Sequence, residues 1–262
     1  MQTPRPRTKV RYLTWYALFY LPRRMAAAAV TRRADVYGIC QRGPSLLAQE
    51  LRAVNTYRPT PMCQEMTAQG SDNCRLWHNY TTIYAKLLDG WRGRALTIAE
   101  LGLGTNNPAL VSSMGSTGRP GASLRGWRAL FPKARIFGAD IDRDILFEEE
   151  RIKTFYCDQL DPAAIAALWA QPELADGADL IIEDGLHTFE ANIAFMNGSL
   201  GALRPHGIYV IEDIATETLP QWRAVLAGTY APKFPAHDFA LLALPNPANR
   251  LDNNMLVVRR LD

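Results

Sequence analysis

The sequence predicts an α/β fold, with a mostly parallel seven-stranded sheet, a C-terminal antiparallel hairpin and an added helical segment at the N-terminus. Three observations carry this. From residue 96 onward, short apolar runs alternate with helical patterns. Five of those runs end in an acidic residue, and the last two have only a turn-rich loop between them.

Residues 1–70 have no strand rhythm and read as helices and loops, separate from a main domain over 71–262. Much of the positive charge lies here, in "PRPRTKVR" and "PRRMAAAAVTRRA". Between them "YLTWYALFYL" is too short to span a bilayer and rich in aromatic residues. It reads as a helix packed on the body or on a second copy of the chain. A peripheral membrane contact through residues 10–33 and a cleaved signal peptide, for which "AAAAV" imitates the small-residue site, are the other readings. "WHNYTTIYAKLLDGW" (77–91) has helical spacing, with Tyr80, Tyr84, Leu87 and Leu88 on one side, and "RG" at 92–93 breaks it.

The expected parallel strands are 96–102, 135–141, 152–158, 180–184 and 208–213, with helices at 162–171, 189–203 and 219–228. The runs 239–245 and 254–260 flank "NPANRLDN" and read as the closing hairpin. His206, in "RPHG", reads as a turn residue before the fifth strand.

Apolar residues are 48% of the chain and charged residues 21%, enough for a real core. The formal net charge of +3 does not describe a polycation, and no nucleic-acid partner is expected. The four cysteines form no CxxC pair, which fits a reduced, cytoplasmic protein, at the inner membrane face if the N-terminus touches lipid.

In an open α/β sheet, ligands bind at the carboxyl ends of the strands, and all five acids sit there. "AELGLGTN" places Glu100 before Gly102 and Gly104; alone, G-x-G also makes a simple tight turn. A dinucleotide is disfavoured because the third glycine is absent and the next terminal acid, Asp140, comes 36 positions after Gly104 (140 − 104). The intervening Gly-, Ser- and Asn-rich stretch is too long for a simple βα connection. S-adenosylmethionine (SAM) has no pyrophosphate and meets these requirements. Asp140 would take the ribose hydroxyls, Gly102 and Gly104 would pass under the amino-acid tail, and Asp158 or Gln159 would reach the adenine.

The stretch from "SDNCRLWHNYTTIY" through "ELGLG", "PGASLRGWRALFPKARIFGADID", "RIKTFYCDQLD", "DLIIEDGLH" and "LRPHGIYVIED" resembles class I methyltransferases. More narrowly, it is similar to the metal-dependent sugar O-methyltransferases of macrolide biosynthesis, the macrocin and mycinamicin type. The resemblance covers roughly residues 70 to 215. It implies a Rossmann-like fold and gives Ser123, and Tyr80 or Tyr84, a cofactor contact, although aromatic residues at that spacing also suit a core. Trp127 reads as packing.

Asp184 and Asp213 lie 29 positions apart (213 − 184) on runs that would be neighbours in the sheet. Asp184, Glu212 and Asp213 would then converge without a nearby Lys or Arg. A hard divalent cation, Mg2+ or Mn2+, relieves that repulsion, and the resemblance implies the same three ligands. Helix capping is the alternative task for such acids. A cation on two vicinal hydroxyls lowers their pKa, and a histidine near neutrality, His187, takes the proton. In the family, the matching D-G-x-H histidine is the proposed base. Where that family commonly reads D-D-G-S-H, this chain has "EDGLH": Leu186 removes a hydroxyl, and Glu183 has no assigned task.

The expected function is SAM- and metal-dependent methylation of a sugar hydroxyl in a glycan, glycolipid or glycosylated natural product. An NAD(P)-dependent oxidoreductase and a non-catalytic scaffold are the alternatives. The acceptor pocket is expected in residues 1–75 and 105–122, because such pockets form in loops and appended segments.

Overall fold

All seven expected strands join one sheet in a computed structural model that describes residues 33–74 and 77–262. In chain order the elements are β1 (Asp35–Cys40), α1 (Leu46–Arg52), α2 (Pro61–Gln69), α3 (Tyr80–Leu87), β2 (Thr97–Leu101), α4 (Ala122–Leu130), β3 (Arg135–Asp140), β4 (Glu148–Glu149), β5 (Ile152–Tyr156), α5 (Pro162–Trp169), β6 (Ala178–Glu183), α6 (Phe189–Ser199), β7 (Leu203–Ile211), α7 (Leu219–Val225), β8 (His237–Ala243) and β9 (Asn254–Arg260). The sheet order is β1-β8-β9-β7-β6-β2-β3-β5-β4.

The central strands β7, β6, β2, β3 and β5 are parallel, and β8 and β9 close that side as the expected antiparallel hairpin. Two strands were not expected. β1, inside the segment read as strand-free, pairs antiparallel with β8 over six residues. It is an edge strand with only Val36 fully buried, so it never shows the period-2 signature of a half-buried strand. β4 adds a two-residue edge beyond β5. His206 is a second correction: it lies inside β7, at the register shift opposite 178–180, with the left-handed backbone (φ +61°) that a turn would have needed. The aromatic stripe at 12–21 and the membrane reading of residues 10–33 fall outside the described residues, apart from Arg33. Among the described residues, no helix is long and apolar enough to cross a membrane.

Alternation sorts the buried strand residues into two cores. Ile98, Leu180, Ile182, Ile208 and Val210 face Tyr80, Tyr84 and Trp127 of α3 and α4. Ala99, Leu101, Ile181, Tyr209 and Ile211 face Ile165, Phe195 and Trp222 of α5, α6 and α7. Because both faces are covered, the parallel strands read as continuous apolar runs. The chain leaves β2 toward β3 and β5, then returns to place β6 on the other side of β2. That reversal makes a crevice at the carboxyl ends of β2 and β6.

Candidate active site

The β2 and β6 ends approach so closely that position 102 has no room for a side chain. Gly102 has φ +92°, and a Cβ there would overlap the backbone carbonyl of Asp184. The Asp184 amide in turn donates to Leu101 O at 2.9 Å. A cavity of about 300 Å3 opens over this junction, and its wall includes Gly102, Gly104, Asp140, Asp158, Gln159, Asp184, His187 and Asp213. A neighbouring chamber is lined by Gly104, Ser123, Asp184 and Asp72.

Asp140 ends β3 in this wall, with Oδ2 accepting from Leu103 N (2.7 Å) and Oδ1 from Asp142 N (2.8 Å). Burial pushes its carboxyl above the usual aspartate range. It therefore ties the loop after β2 to the loop after β3, in addition to facing the cavity. Asp158 Oδ1 accepts from Leu160 N at 2.9 Å.

Two expected cofactor residues lie elsewhere. Glu100 forms a floor: Ser123 Oγ donates to its Oε1, and Trp127 Nε1 donates to Oε2 at 2.6 Å. Burial raises the Glu100 carboxyl to about 7, against the lowering effect of those two bonds. Tyr84 is fully buried in the core, and its hydroxyl donates to Glu212. Neither Glu100 nor Tyr84 reaches the main cavity wall.

Asp184, His187 and Asp213 bring one donor atom each to within 4.8 Å of one another. His187 Nε2 lies 3.2 Å from Asp184 Oδ1, and its Nδ1 lies 3.6 Å from Asp213 Oδ2. Both His187 (φ +60°) and Asp213 (φ +51°) hold left-handed backbone, a strain typical of functional turns. Glu212 lies beneath the group, fully buried, with Oε2 meeting no partner. Burial above all, and then mutual repulsion, pushes the Asp184 and Glu212 carboxyls well above their usual ranges. Asp213 rises too, mainly through burial, while His187 and His78 partly offset this. Crowded carboxylates with an orphaned buried oxygen, beside one imidazole, fit a hard divalent cation. Asp184 and Asp213 are the carboxylates that would hold it; Glu212, the third expected ligand, is not among the atoms that come within 4.8 Å of one another there.

Desolvation lowers the His187 pKa, but the Asp184 bond and the charges of Asp184, Asp213 and Glu183 overcome it and lift the imidazole to about 10. Without a cation, His187 is thus a counter-ion to its carboxylates. With their charge neutralised, it is freed toward the range a base needs.

Asp72 and His78 were given no role from the sequence, and Tyr80, read as a cofactor contact, reaches Asp213. The Tyr80 hydroxyl donates to Asp213 Oδ1 at 2.6 Å and accepts from the Asp213 amide at 3.2 Å. Buried His78 places Nδ1 3.2 Å from the same carboxylate oxygen, without hydrogen-bond alignment, and its ring stacks on Tyr80 at 4.7 Å. Asp72 lines both chambers. "SDN" and "HNY" were visible as motifs, but their spacing equally suits a cap and a packed helix.

These shifts give the metal-free protein a definite pH response. Glu100 and Glu183 both titrate near 7 when folded, against 4.5 ordinarily. Their contribution is complete below the ordinary value and is lost as pH rises through 7. His187 acts in the same direction, losing its contribution above its ordinary 6.5 and up to about 10. The opposing group is His237, lowered to about 4 by burial, and it acts only below 6.5. Between pH 6.5 and 8 the chelated protein is expected to lose about 3 kcal/mol. Thermal melts with a chelator check this, and a Tm that is flat or rising over that interval contradicts it.

No family model matches the chain. Over 157 residues it is 32% identical to an 8-demethyl-8-alpha-L-rhamnosyl tetracenomycin-C 2'-O-methyltransferase of Streptomyces olivaceus, covering 59% of this chain and 38% of that protein. Over 143 residues it is 31% identical to demethylmacrocin O-methyltransferase of Streptomyces fradiae, covering 55% and 33%. The chain spans less than half the length of these curated relatives. Among solved structures, the MycE methyltransferase of the mycinamycin biosynthetic pathway, in complex with Mg and SAH, is 25% identical over 63% of this chain and 40% of that one, with a TM-score of 0.51. Its complex with Mg, SAH and mycinamycin VI aligns with 97% of this chain and 61% of that one at 19% identity, TM-score 0.57, a likeness of fold. The fold is thus the Rossmann-like methyltransferase fold, and the resemblance read from the motifs is matched by curated sugar O-methyltransferases.

Proposed function

We propose that this chain binds SAM and a divalent cation, Mg2+ or Mn2+, and catalyses transfer of the methyl group to a hydroxyl of a sugar-containing acceptor. The observation that carries the reading is the convergence of Asp184, His187 and Asp213 on the wall of the cavity floored by Gly102 and Gly104. The name of one relative supports the acceptor class, since it is a 2'-O-methyltransferase of a rhamnosyl tetracenomycin.

When bound, the cation supplies charge that lowers the pKa of a sugar hydroxyl, and SAM supplies an electrophilic methyl group. The chain's own residues do the rest. Asp184 and Asp213, with Glu212 on the same side of the sheet, would hold the positive charge at one side of the cavity. His187 would receive the hydroxyl proton on a ring nitrogen. Gly102, Gly104, Asp140, Asp158 and Gln159 shape the cofactor side, so that acceptor and donor meet in a fixed geometry.

Calorimetry with SAH, SAM and NAD, followed by mass spectrometry of glycans and glycolipids incubated with isotopically methyl-labelled SAM and Mg2+, tests the proposal. SAH binding and a methyl-sized mass gain are expected, and NAD binding without SAH binding overturns it. Tyr80 provides a second check. Tyr80→Phe removes the hydroxyl bonded to Asp213 and is expected to weaken Mn2+ binding about 10- to 100-fold. Unchanged Mn2+ affinity by electron paramagnetic resonance contradicts that expectation.

A further inference from the structure

Glu183 has no place in the cation cluster. Alternation along β6 turns it to the face opposite Ile182, toward the α5–α6 side, where it is fully buried. A buried carboxylate is costly unless bonded; Oε2 of Glu183 meets no partner, and both of its bonds fall on Oε1. Gln159 Nε2 donates to Glu183 Oε1 at 2.6 Å, and the Gly185 amide donates to the same oxygen at 3.2 Å. The other end of Gln159 completes a bridge: its Oε1 accepts from the Leu186 amide at 2.8 Å. Two successive amides of the turn that carries His187 are therefore held by one acid–amide pair. The fit is tight, because a Cβ at position 185 would overlap Gln159 Oε1.

Gln159 also lines the main cavity next to Asp158, where the adenine end of the cofactor is proposed to sit. We infer that Glu183 and Gln159 form a positioning clamp, which sets the 184–187 turn and passes occupancy of the cofactor cavity to the placement of His187. The inference rests on the reading of that cavity as the cofactor site. A ligand that fixes the Gln159 side chain fixes, through the same amide group, the Leu186 N–H and the turn after it. Position 186 takes part through its backbone, which accommodates a leucine where the family commonly has a serine.

Amide hydrogen exchange read by NMR tests the clamp. In Gln159→Met, exchange at the Leu186 amide is expected to rise about tenfold, the scale of one lost hydrogen bond, with the β6 amides unchanged. Glu183→Gln keeps an accepting oxygen and is expected to retain the parent's protection. In the unaltered protein, saturating SAH is expected to slow exchange at Leu186, and this slowing disappears in Gln159→Met. Unchanged Leu186 exchange in folded Gln159→Met overturns the clamp. So does unaltered Leu186 exchange when calorimetry shows SAH bound to the parent protein, a result that needs no variant. Absence of SAH binding by calorimetry overturns the cofactor reading and with it the coupling to His187.

Discussion

Asp184→Asn is expected to reduce methyl transfer about 10^3-fold or more, while leaving the metal-free protein at least as stable as the parent. The two effects have opposite signs for one reason. Asp184 is a partly exposed carboxyl whose ionised form is disfavoured by desolvation and by Asp213, with the His187 contact in its favour. In the proposed function that charge serves to hold a cation, at the expense of stability. Asparagine preserves shape and one accepting oxygen, and removes the repulsion. Above neutral pH, a gain of about 1 kcal/mol in the chelated protein is expected. Denaturant titrations with a chelator, Mn2+ binding and methyl transfer to an acceptor that bears the free hydroxyl check the three parts. Full activity in Asp184→Asn would remove this carboxylate from the mechanism, and a large loss of chelated stability would show that it is a structural ion pair.

The second large effect is expected at Gly102→Ala. The residue holds φ +92°, which costs an alanine about 1 kcal/mol, and its Cβ would overlap the Asp184 carbonyl. That obstacle is backbone and cannot rotate aside, so the ends of β2 and β6 must separate. A total loss of about 3 kcal/mol or more is expected, together with loss of SAH binding. Gly90→Ala is the control: φ there is +77° and an added Cβ meets nothing within 4 Å. It should show only the backbone cost, about 1 kcal/mol, with cofactor binding intact. Equal denaturation midpoints for the two variants would mean that the strand ends do not press together at position 102.

Much of this site was legible because it sits where strands end. Apolar runs closed by Glu100, Asp140, Asp158, Asp184 and Asp213 announced a parallel sheet with one charged edge, and the structure sets all of them but Glu100 along the cavity at that edge. What stayed hidden depended on contacts between distant segments. His78 and Tyr80 look like core residues of a helix start until the fold carries them 133 positions, in the case of Tyr80, to Asp213. Tyr84 was assigned to the cofactor, yet its hydroxyl lies on Glu212, because the same helix face that touches the sheet also passes beneath the cation site. β1 was missed because an edge strand with one fully buried residue carries almost no alternation.

The two E-D pairs draw the line between residue order and packing most sharply. Order alone determined that both pairs end buried strands, and that a glycine turn follows the first. It could not say that the two glutamates do different work. The register, which sets Glu183 opposite Ile211, decided that: it places Asp184 level with Glu212 and turns Glu183 to the opposite face. A strand's side chains alternate with period two, so a shift of one residue between neighbours sends an acid either to the cation site or to the clamp beneath the histidine.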